Sequence, residues 1–304
     1  MCREKAAEAR AHQRFCQANR FAVVESYNPI GAHIVTHTPD PFELFAIGYA
    51  RHSGRSAQEN FIGGDFHESA SDLAYYVWLA RRGDRVFLID TGFGPDAAKS
   101  RGRELFQTPA RQLAGFGVDP AKIDDVILTH LHYDHAGTLG DFPRARFHVQ
   151  DAEAAYATGR CMCHDVLRGP FDVEDVVSYI RHLYAGRVVF HDGTAELADG
   201  LTLHRVGGHS AGLQVVRVFT KRGWVVLASD ASHLYANMRT NTPFPLVYSV
   251  AEMLEGYRTV AALADSADHI IPGHDPLVME WYPRVTGEGA GGVYRLDVPP
   301  KGSG

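Results

Sequence analysis

The densest group of chemically active side chains lies in the stretch THLHYDHAG, residues 129–137. It places His130, His132, Asp134 and His135 within six positions, directly after an apolar run that predicts a buried strand. Imidazole nitrogens and carboxylate oxygens both bind zinc at about 2.0–2.2 Å. Because consecutive side chains at a strand end point in different directions, this loop could bind two adjacent ions. No cysteine takes part, which excludes a structural finger of the cysteine type.

Three further residues of ligand type occupy places where a predicted strand gives way to a loop. His209 lies in the glycine-rich GGHSAG, Asp230 follows the strand WVVLAS, and His274 follows the apolar run of IIPGHD. All three could therefore converge with the histidine-rich loop at one edge of a sheet. The stretch CMCH, with Cys161 and Cys163, lacks the second pair of ligands that a structural zinc site needs. We interpret it as two reduced thiols on a helical insert.

The composition excludes several classes of protein. The chain has 304 residues, 45% of them hydrophobic, and a formal net charge of -6. Lysine and arginine are scattered, so no basic stripe indicates nucleic-acid binding. No apolar run could cross a bilayer, and the charged first twenty residues lack the apolar stretch of a secretory signal. We therefore expect a cytoplasmic protein that binds neither nucleic acid nor membrane.

The pattern of apolar runs predicts strands in both halves of the chain, separated by helices. LAYYVWLA and RVFLID, joined by the turn RRGD, predict a hairpin. This organisation favours two sheets packed face to face with helices outside, in one α/β domain. We expect an N-terminal arm over residues 1–41, the domain over 42–285 with a helical insert at about 159–186, and a C-terminal tail over 286–304.

Taken together, these motifs resemble the metallo-β-lactamase superfamily. LIDTG (88–92), THLHYDHAG, GGHSAG, ASD and PGH occur in the family's order, and the similarity covers roughly residues 42–280. The resemblance implies an αββα sandwich (the metallo-β-lactamase fold) with two zinc ions per chain at one sheet edge; manganese or iron could replace zinc. It implies a first ion bound by His130, His132 and His209, a second bound by Asp134, His135 and His274, and Asp230 bridging them.

The resemblance also implies a reaction. A metal-bound hydroxide would attack a carbonyl, and Asp134 would pass a proton to the leaving oxygen, so we predict a hydrolase that acts on ester bonds. Asp90, in LIDTG, would either support the ligands or shape the turn before Gly92. Within the family, the chain is most like the N-acyl-homoserine lactonase and pyridoxolactonase-like group, which implies a small-molecule lactone as substrate and a possible homodimer.

One departure from that group concerns the substrate. Acyl-homoserine lactonases carry a tyrosine three residues after the bridging aspartate, where this chain has His233, and its nearest tyrosine is Tyr235. Both residues are candidates for catalysis or substrate contact, although either could simply pack the following loop. Phe66 and His67 lie in a loop that often forms a pocket wall in relatives, and they are candidates for substrate binding. An ordinary surface loop would explain them as well.

Two alternative functions stay open at this point. A hydroxyacyl-thioester hydrolase of the glyoxalase II type would also use Asp230 as a bridge. A persulfide dioxygenase-like oxidoreductase would use a single iron ion, and metal analysis would distinguish it from a two-zinc hydrolase. A true β-lactamase normally lacks the bridging aspartate, and RNA cleavage would favour a basic groove that this acidic chain does not predict.

Overall fold

Two β-sheets form the centre of the protein in the computed structural model, which describes residues 37–286 and 291–301. The strands of the described residues are β1 (Glu43–His52), β2 (Leu73–Arg82), β3 (Arg85–Ile89), β4 (Glu104–Leu105), β5 (Asp125–Ile127), β6 (Arg146–Gln150), β7 (Val188–His191), β8 (Thr194–Ala198), β9 (Leu201–Arg205), β10 (Gln214–Thr220), β11 (Gly223–Ser229), β12 (Ile270–Pro272), β13 (Arg284–Thr286) and β14 (Gly292–Arg295). The first sheet has the order β13-β14-β1-β2-β3-β5-β6-β7, with β4 beside β1, and the second has the order β12-β11-β10-β9-β8.

Helices connect these strands and cover the outer faces of the sheets. The α-helices of the described residues are α1 (Ala57–Asn60), α2 (Pro95–Ser100), α3 (Pro109–Gly115), α4 (Tyr133–Ala136), α5 (Asp151–Thr158), α6 (Asp165–Arg168), α7 (Val173–Tyr184), α8 (Tyr235–Arg239), α9 (Val250–Leu263) and α10 (Leu277–Trp281). Short 3-10 turns lie at Pro120–Lys122, Leu139–Asp141, Arg160–Cys163 and Ala267–His269. None of the described helices combines the length and the apolar composition that a membrane span requires.

The alternating side chains of β2 show how the layers are built. Tyr75, Val77 and Leu79 point into a core that also contains Leu113 of α3. The alternate residues of β2, such as Trp78, point into a second core shared with strands of the other sheet. A strand buried on both faces lies between two layers, because successive side chains of a strand point to opposite faces.

The predicted hairpin and fold are confirmed. β2 and β3 pair antiparallel from Arg82 and Arg85 onward, and Gly83 at the turn has a φ of 58° that glycine adopts without strain. The outer face of the second sheet packs Val226 and Ala228 against Val260 of α9. Helices therefore lie outside both sheets, which gives the αββα sandwich.

The described residues include the whole of the expected domain and parts of both flanking segments. The expected helical insert, 159–186, contains α6 and α7. The segment expected to be a tail, 286–304, contributes β14, which pairs with β1, so the first sheet continues beyond residue 285. Most of the expected N-terminal arm, residues 1–36, lies outside the described residues.

Candidate metal centre

All seven predicted metal ligands lie at one edge of the sandwich, where strands end. β5 leads into the loop that carries His130 and His132, and α4 carries Asp134 and His135. The other three ligands follow β9, β11 and β12, and all seven side chains are buried. The seven residues are His130, His132, Asp134, His135, His209, Asp230 and His274.

Three imidazoles form a first group. Nδ1 of His132 lies 3.0 Å from Nε2 of His130 and 2.9 Å from Nε2 of His209. Burial, together with the neighbouring histidines, lowers the pKa of both His130 and His132 well below the usual value, so both rings are neutral. One hydrogen atom on Nδ1 of His132 cannot serve both contacts. Three neutral nitrogens at this separation instead suit a shared cation.

A second group consists of two imidazoles and a carboxylate. Oδ2 of Asp134 lies 3.6 Å from Nε2 of His135 and 3.7 Å from Nε2 of His274. The other ring nitrogen of His274 donates to the carbonyl of Ala74 at 2.9 Å, which fixes the tautomer so that Nε2 is free to bind a metal. This set of two nitrogens and one oxygen also fits a divalent ion.

Asp230 lies between the two groups. Its Oδ1 is 3.3 Å from Nε2 of His135 and 3.0 Å from Nε2 of His274. Its Oδ2 is 3.2 Å from Nε2 of His209 and 4.0 Å from Nε2 of His130. Burial alone would raise the pKa of Asp230, but His274 and His135 hold it well below its usual range. An ionised carboxylate with one oxygen toward each group can bridge two cations.

Orphaned polar atoms support the fit of a metal to these residues. Among the described residues, Nε2 of His132, Nε2 of His135 and Oδ1 of Asp230 are buried without a hydrogen-bond partner. Buried polar groups are nearly always satisfied, so three orphans at one place need an explanation. Metal coordination would satisfy Nε2 of His135 and Oδ1 of Asp230 directly.

Asp90 is hydrogen-bonded to the loop that carries the first four predicted ligands. One of its oxygens accepts from the backbone N–H of Thr129 at 2.7 Å, and the other accepts from the Thr129 hydroxyl at 2.8 Å. Nδ1 of His135 also donates to the second oxygen. Asp90 has a φ of 62°, so it serves both as a turn residue and as a partner of a predicted ligand.

Glu153, which the sequence analysis missed, joins two ligand loops. Its Oε1 accepts from the N–H of Leu131 at 2.9 Å. Its Oε2 accepts from the Ser210 hydroxyl at 2.7 Å and the Gly212 N–H at 3.0 Å. The only sequence signal was an acidic residue in the first turn of a helix, which usually indicates a favourable charge at the helix start.

A cleft of about 330 Å³ opens over this cluster. Six of the predicted ligand or catalytic residues line it: His132, Asp134, His209, Asp230, His233 and His274. Leu73, Phe244 and Leu246 provide apolar surface. Arg55, Arg101 and Arg103 also line it, and the sequence analysis did not identify them.

His233 lies in this cleft, as its candidate role requires. Its Nε2 is 2.9 Å from Oδ2 of Asp230. Its ring is stacked on Phe244, with centroids 3.3 Å apart and an interplanar angle of 6°. Burial lowers the pKa of His233 to about 3, so the ring is neutral. The side chain is therefore rigidly held beside the carboxylate between the two groups.

The structure does not bring the other three candidates into the cleft. Tyr235 stacks on Trp281, with centroids 4.7 Å apart, and lines a separate cavity of about 320 Å³. Phe66 is 70% exposed and contacts His67, whose side chain is 89% exposed. The loop that carries this pair is held by its own hydrogen bonds, including one from the His67 N–H to Asp65. None of the three lines the cleft over the metal cluster, and their contact with a substrate stays a prediction.

The CMCH stretch does not form a metal site within the described residues. Cys161 is partly buried and Cys163 is exposed, and both thiols are free. The clusters of possible metal ligands in the described part of the chain consist of histidine and aspartate only.

The sequence was compared with models of protein families and with known proteins. The model of the metallo-β-lactamase superfamily matches residues 71–276, which is more than half of the chain. A probable metallo-hydrolase of Mycobacterium tuberculosis is 28% identical over 234 residues, covering 67% of this chain and 72% of the relative. N-acyl homoserine lactonase AiiB of Agrobacterium fabrum is 28% identical over 182 residues, covering 55% of this chain and 66% of the relative.

Solved structures share the architecture. A quorum-quenching N-acyl homoserine lactone lactonase superposes with a TM-score of 0.66 at 22% sequence identity. The superposition covers 79% of this chain and 95% of the lactonase. At this level of identity, the similarity shows a common fold.

Proposed function

The chain belongs to the metallo-β-lactamase superfamily, and we propose that it is a dinuclear zinc hydrolase that opens a lactone. The observation that carries this proposal is the position of Asp230, whose two oxygens face two separate groups of ligands. A carboxylate in this position could contact one ion in each group. The names of relatives such as N-acyl homoserine lactonase AiiB support the choice of a cyclic ester as substrate.

The proposed ligands follow the two groups. His130, His132 and His209 would bind one ion, Asp134, His135 and His274 would bind the other, and Asp230 would bridge them. Two bound divalent ions would lower the pKa of a water molecule toward neutrality and would polarise the substrate carbonyl.

The remaining chemistry is assigned to protein side chains in the cleft. The carboxylate of Asp134 lines the cleft, so one of its oxygens could accept a proton from the attacking water and pass it to the leaving alkoxide. His233 lines the cleft beside Asp230, and we assign its ring to contact with the substrate. Phe244 fixes the plane of that ring. Leu73 and Leu246 would contact the apolar part of the substrate and exclude water from it.

The test combines activity and metal content on one sample of the full chain. Zinc-loaded protein is assayed by proton release against a panel of lactones and thioesters, then after chelation, and again after zinc is added back. We expect about two zinc ions per chain, ring opening of lactones, loss of activity on chelation and its return with zinc. Full activity of metal-free protein would overturn the proposal.

The same panel distinguishes the alternatives. If the protein hydrolyses thioesters and leaves lactones intact, it is of the glyoxalase II type. If it contains one iron ion per chain and consumes oxygen, it is of the persulfide dioxygenase type. His132→Ala and Asp230→Ala should abolish turnover, and circular dichroism should show that both variants are folded.

A further inference from the structure

One side of the cleft carries positive charge. Arg55, before α1, and Arg101 and Arg103, after α2, all line the cleft together with ligands such as Asp134. We call these three residues the arginine wall. Such a wall is unexpected beside predicted cations, because like charges repel in a partly buried site.

The carboxylates on the rim already have other partners. Glu59 is 3.7 Å from Nη1 of Arg55, and the Arg55 side chain also donates to Oδ1 of Asn60 at 2.6 Å. Asp165, the other acidic residue of the rim, is paired with Arg168. Arg55 is thus neutralised, while neither rim carboxylate is paired with Arg101 or Arg103.

Arg101 and Arg103 have no ion-pair partner within the described residues. Arg101 donates to the carbonyls of Gly169 and Phe171 at 3.1 and 2.9 Å, and these bonds tie it to the loop before α7. Arg103 donates from Nε to the hydroxyl of Tyr133 at 3.1 Å and from Nη1 to the carbonyl of Arg101 at 2.6 Å. Nη2 of Arg103 has no acceptor in the described part of the chain.

Arg103 is held close to the predicted metal ligands through aromatic residues. Its partner Tyr133 precedes Asp134 and donates to the hydroxyl of Tyr75 at 3.4 Å. The ring of Tyr75 contacts His274, with centroids 5.0 Å apart. Arg103 therefore lines the same cleft as Asp134 and His274 of the second ligand group, and both tyrosines beside it are buried.

A bound anion that accepts from the unused donors of this half-buried guanidinium would form charge-assisted hydrogen bonds with it. We propose that the substrate carries a carboxylate that binds Nη2 of Arg103. This inference rests on the proposed lactonase function and adds the substrate class: a lactone with an acidic substituent. Nε and one of the two N–H groups of Nη1 are already used, and the N–H groups that remain on the planar guanidinium suit a planar acceptor such as a carboxylate.

The experiment compares two lactones that differ only in charge. The probes are 5-oxotetrahydrofuran-2-carboxylic acid and its primary carboxamide, assayed with the zinc-loaded full chain. Arg103→Met keeps most of the side-chain length and removes the charge. The matched control is Arg51→Met on β1, because Arg51 pairs with the exposed Glu104 and does not line the cleft. Thermal melting shows whether each variant is folded.

We expect the wild-type protein to prefer the acid. Arg103→Met should lower kcat/KM for the acid by about tenfold or more, because one charge-assisted hydrogen bond is lost, and the change should appear in KM. The same variant should change kcat/KM for the amide by less than about threefold. Arg51→Met should change neither. Equal losses for acid and amide, or a wild-type preference for the amide, would overturn the proposal and leave Arg103 a structural residue.

Binding without turnover separates this proposal from the proposed function. Calorimetry compares glutarate with butyrate, so that the added affinity measures the second carboxylate. We expect this gain in the wild type and in Arg51→Met and its loss in Arg103→Met, even if no lactone is hydrolysed. The same gain in Arg103→Met as in the wild type would show that Arg103 does not bind the anion, whatever the reaction.

Discussion

The carboxylate of Asp90 lies 2.7 Å from Nδ1 of His135, and both side chains are buried. Because a carboxylate only accepts, Nδ1 carries a hydrogen, and Nε2 is the nitrogen that lies beside Asp134 and Asp230 in the predicted second site. Asp90 therefore fixes both the tautomer and the direction of this ring.

Asp90→Asn should weaken metal binding. Asparagine tolerates the left-handed backbone conformation at this position, but its amide offers one acceptor oxygen where Asp90 accepts three hydrogen bonds. We expect zinc affinity to fall by about 10- to 100-fold, measured by competition with a chelator. Asp96→Asn, an exposed change in α2, is the control. Unchanged zinc affinity in Asp90→Asn would mean that Asp90 acts only as a turn residue.

Glu153→Gln should destabilise the protein and loosen two ligand loops. Glutamine keeps the volume but loses one acceptor, so at least one of the buried donors of Leu131, Ser210 and Gly212 is left unpaired. An orphaned donor costs about 1–3 kcal/mol of unfolding free energy, measured by urea denaturation of the metal-free protein. Glu255→Gln, on the exposed face of α9, should have almost no effect. Equal stability of the two variants would contradict the linking role of Glu153.

The clustering of the seven candidate ligands could be predicted from the sequence because their positions depend on local signals. His130, Asp230 and His274 each follow an apolar run, and strands that end at one edge bring such residues together whatever the details of packing. The αββα layers follow from continuous apolar runs such as LAYYVWLA of β2, which is buried on both faces because alternate side chains point into two different cores. These features need only the direction of each strand and its place in the sheet.

The substrate side of the cleft could not be predicted in the same way. Phe66 and His67 face solvent because their loop folds on itself through local bonds such as that from the Asn60 side chain to the Ser71 carbonyl. Arg101 and Arg103 reach the cleft because residues 133 and 169, far along the chain, accept their hydrogen bonds. Long-range contacts of this kind leave no spacing signal in one sequence.

His233 and Tyr235 give a direct comparison of two candidates for catalysis. His233→Ala removes a ring that contacts Asp230 in the cleft, and we expect kcat to fall by about tenfold or more while zinc content is retained. Tyr235→Phe keeps the stacking on Trp281 in a separate cavity and should leave kcat unchanged. Steady-state kinetics with metal analysis measures both. If Tyr235→Phe lowered kcat and His233→Ala did not, Tyr235 would be the catalytic residue of the two.

Asp175, in the first turn of α7, should make stability depend on pH. Burial, and then the charge of Asp172, raises the pKa of Asp175 from 3.8 to about 7. Between these values the folded state binds more protons than the unfolded state, so the unfolding free energy decreases as pH rises through about 7. Asp175→Asn removes this loss. The melting temperature of the variant, relative to wild type, should therefore be higher at pH 8.5 than at pH 5. Asp84→Asn, at the exposed turn between β2 and β3, is the control. A difference between Asp175→Asn and wild type that stays constant with pH would show that the Asp175 carboxyl does not titrate in this range.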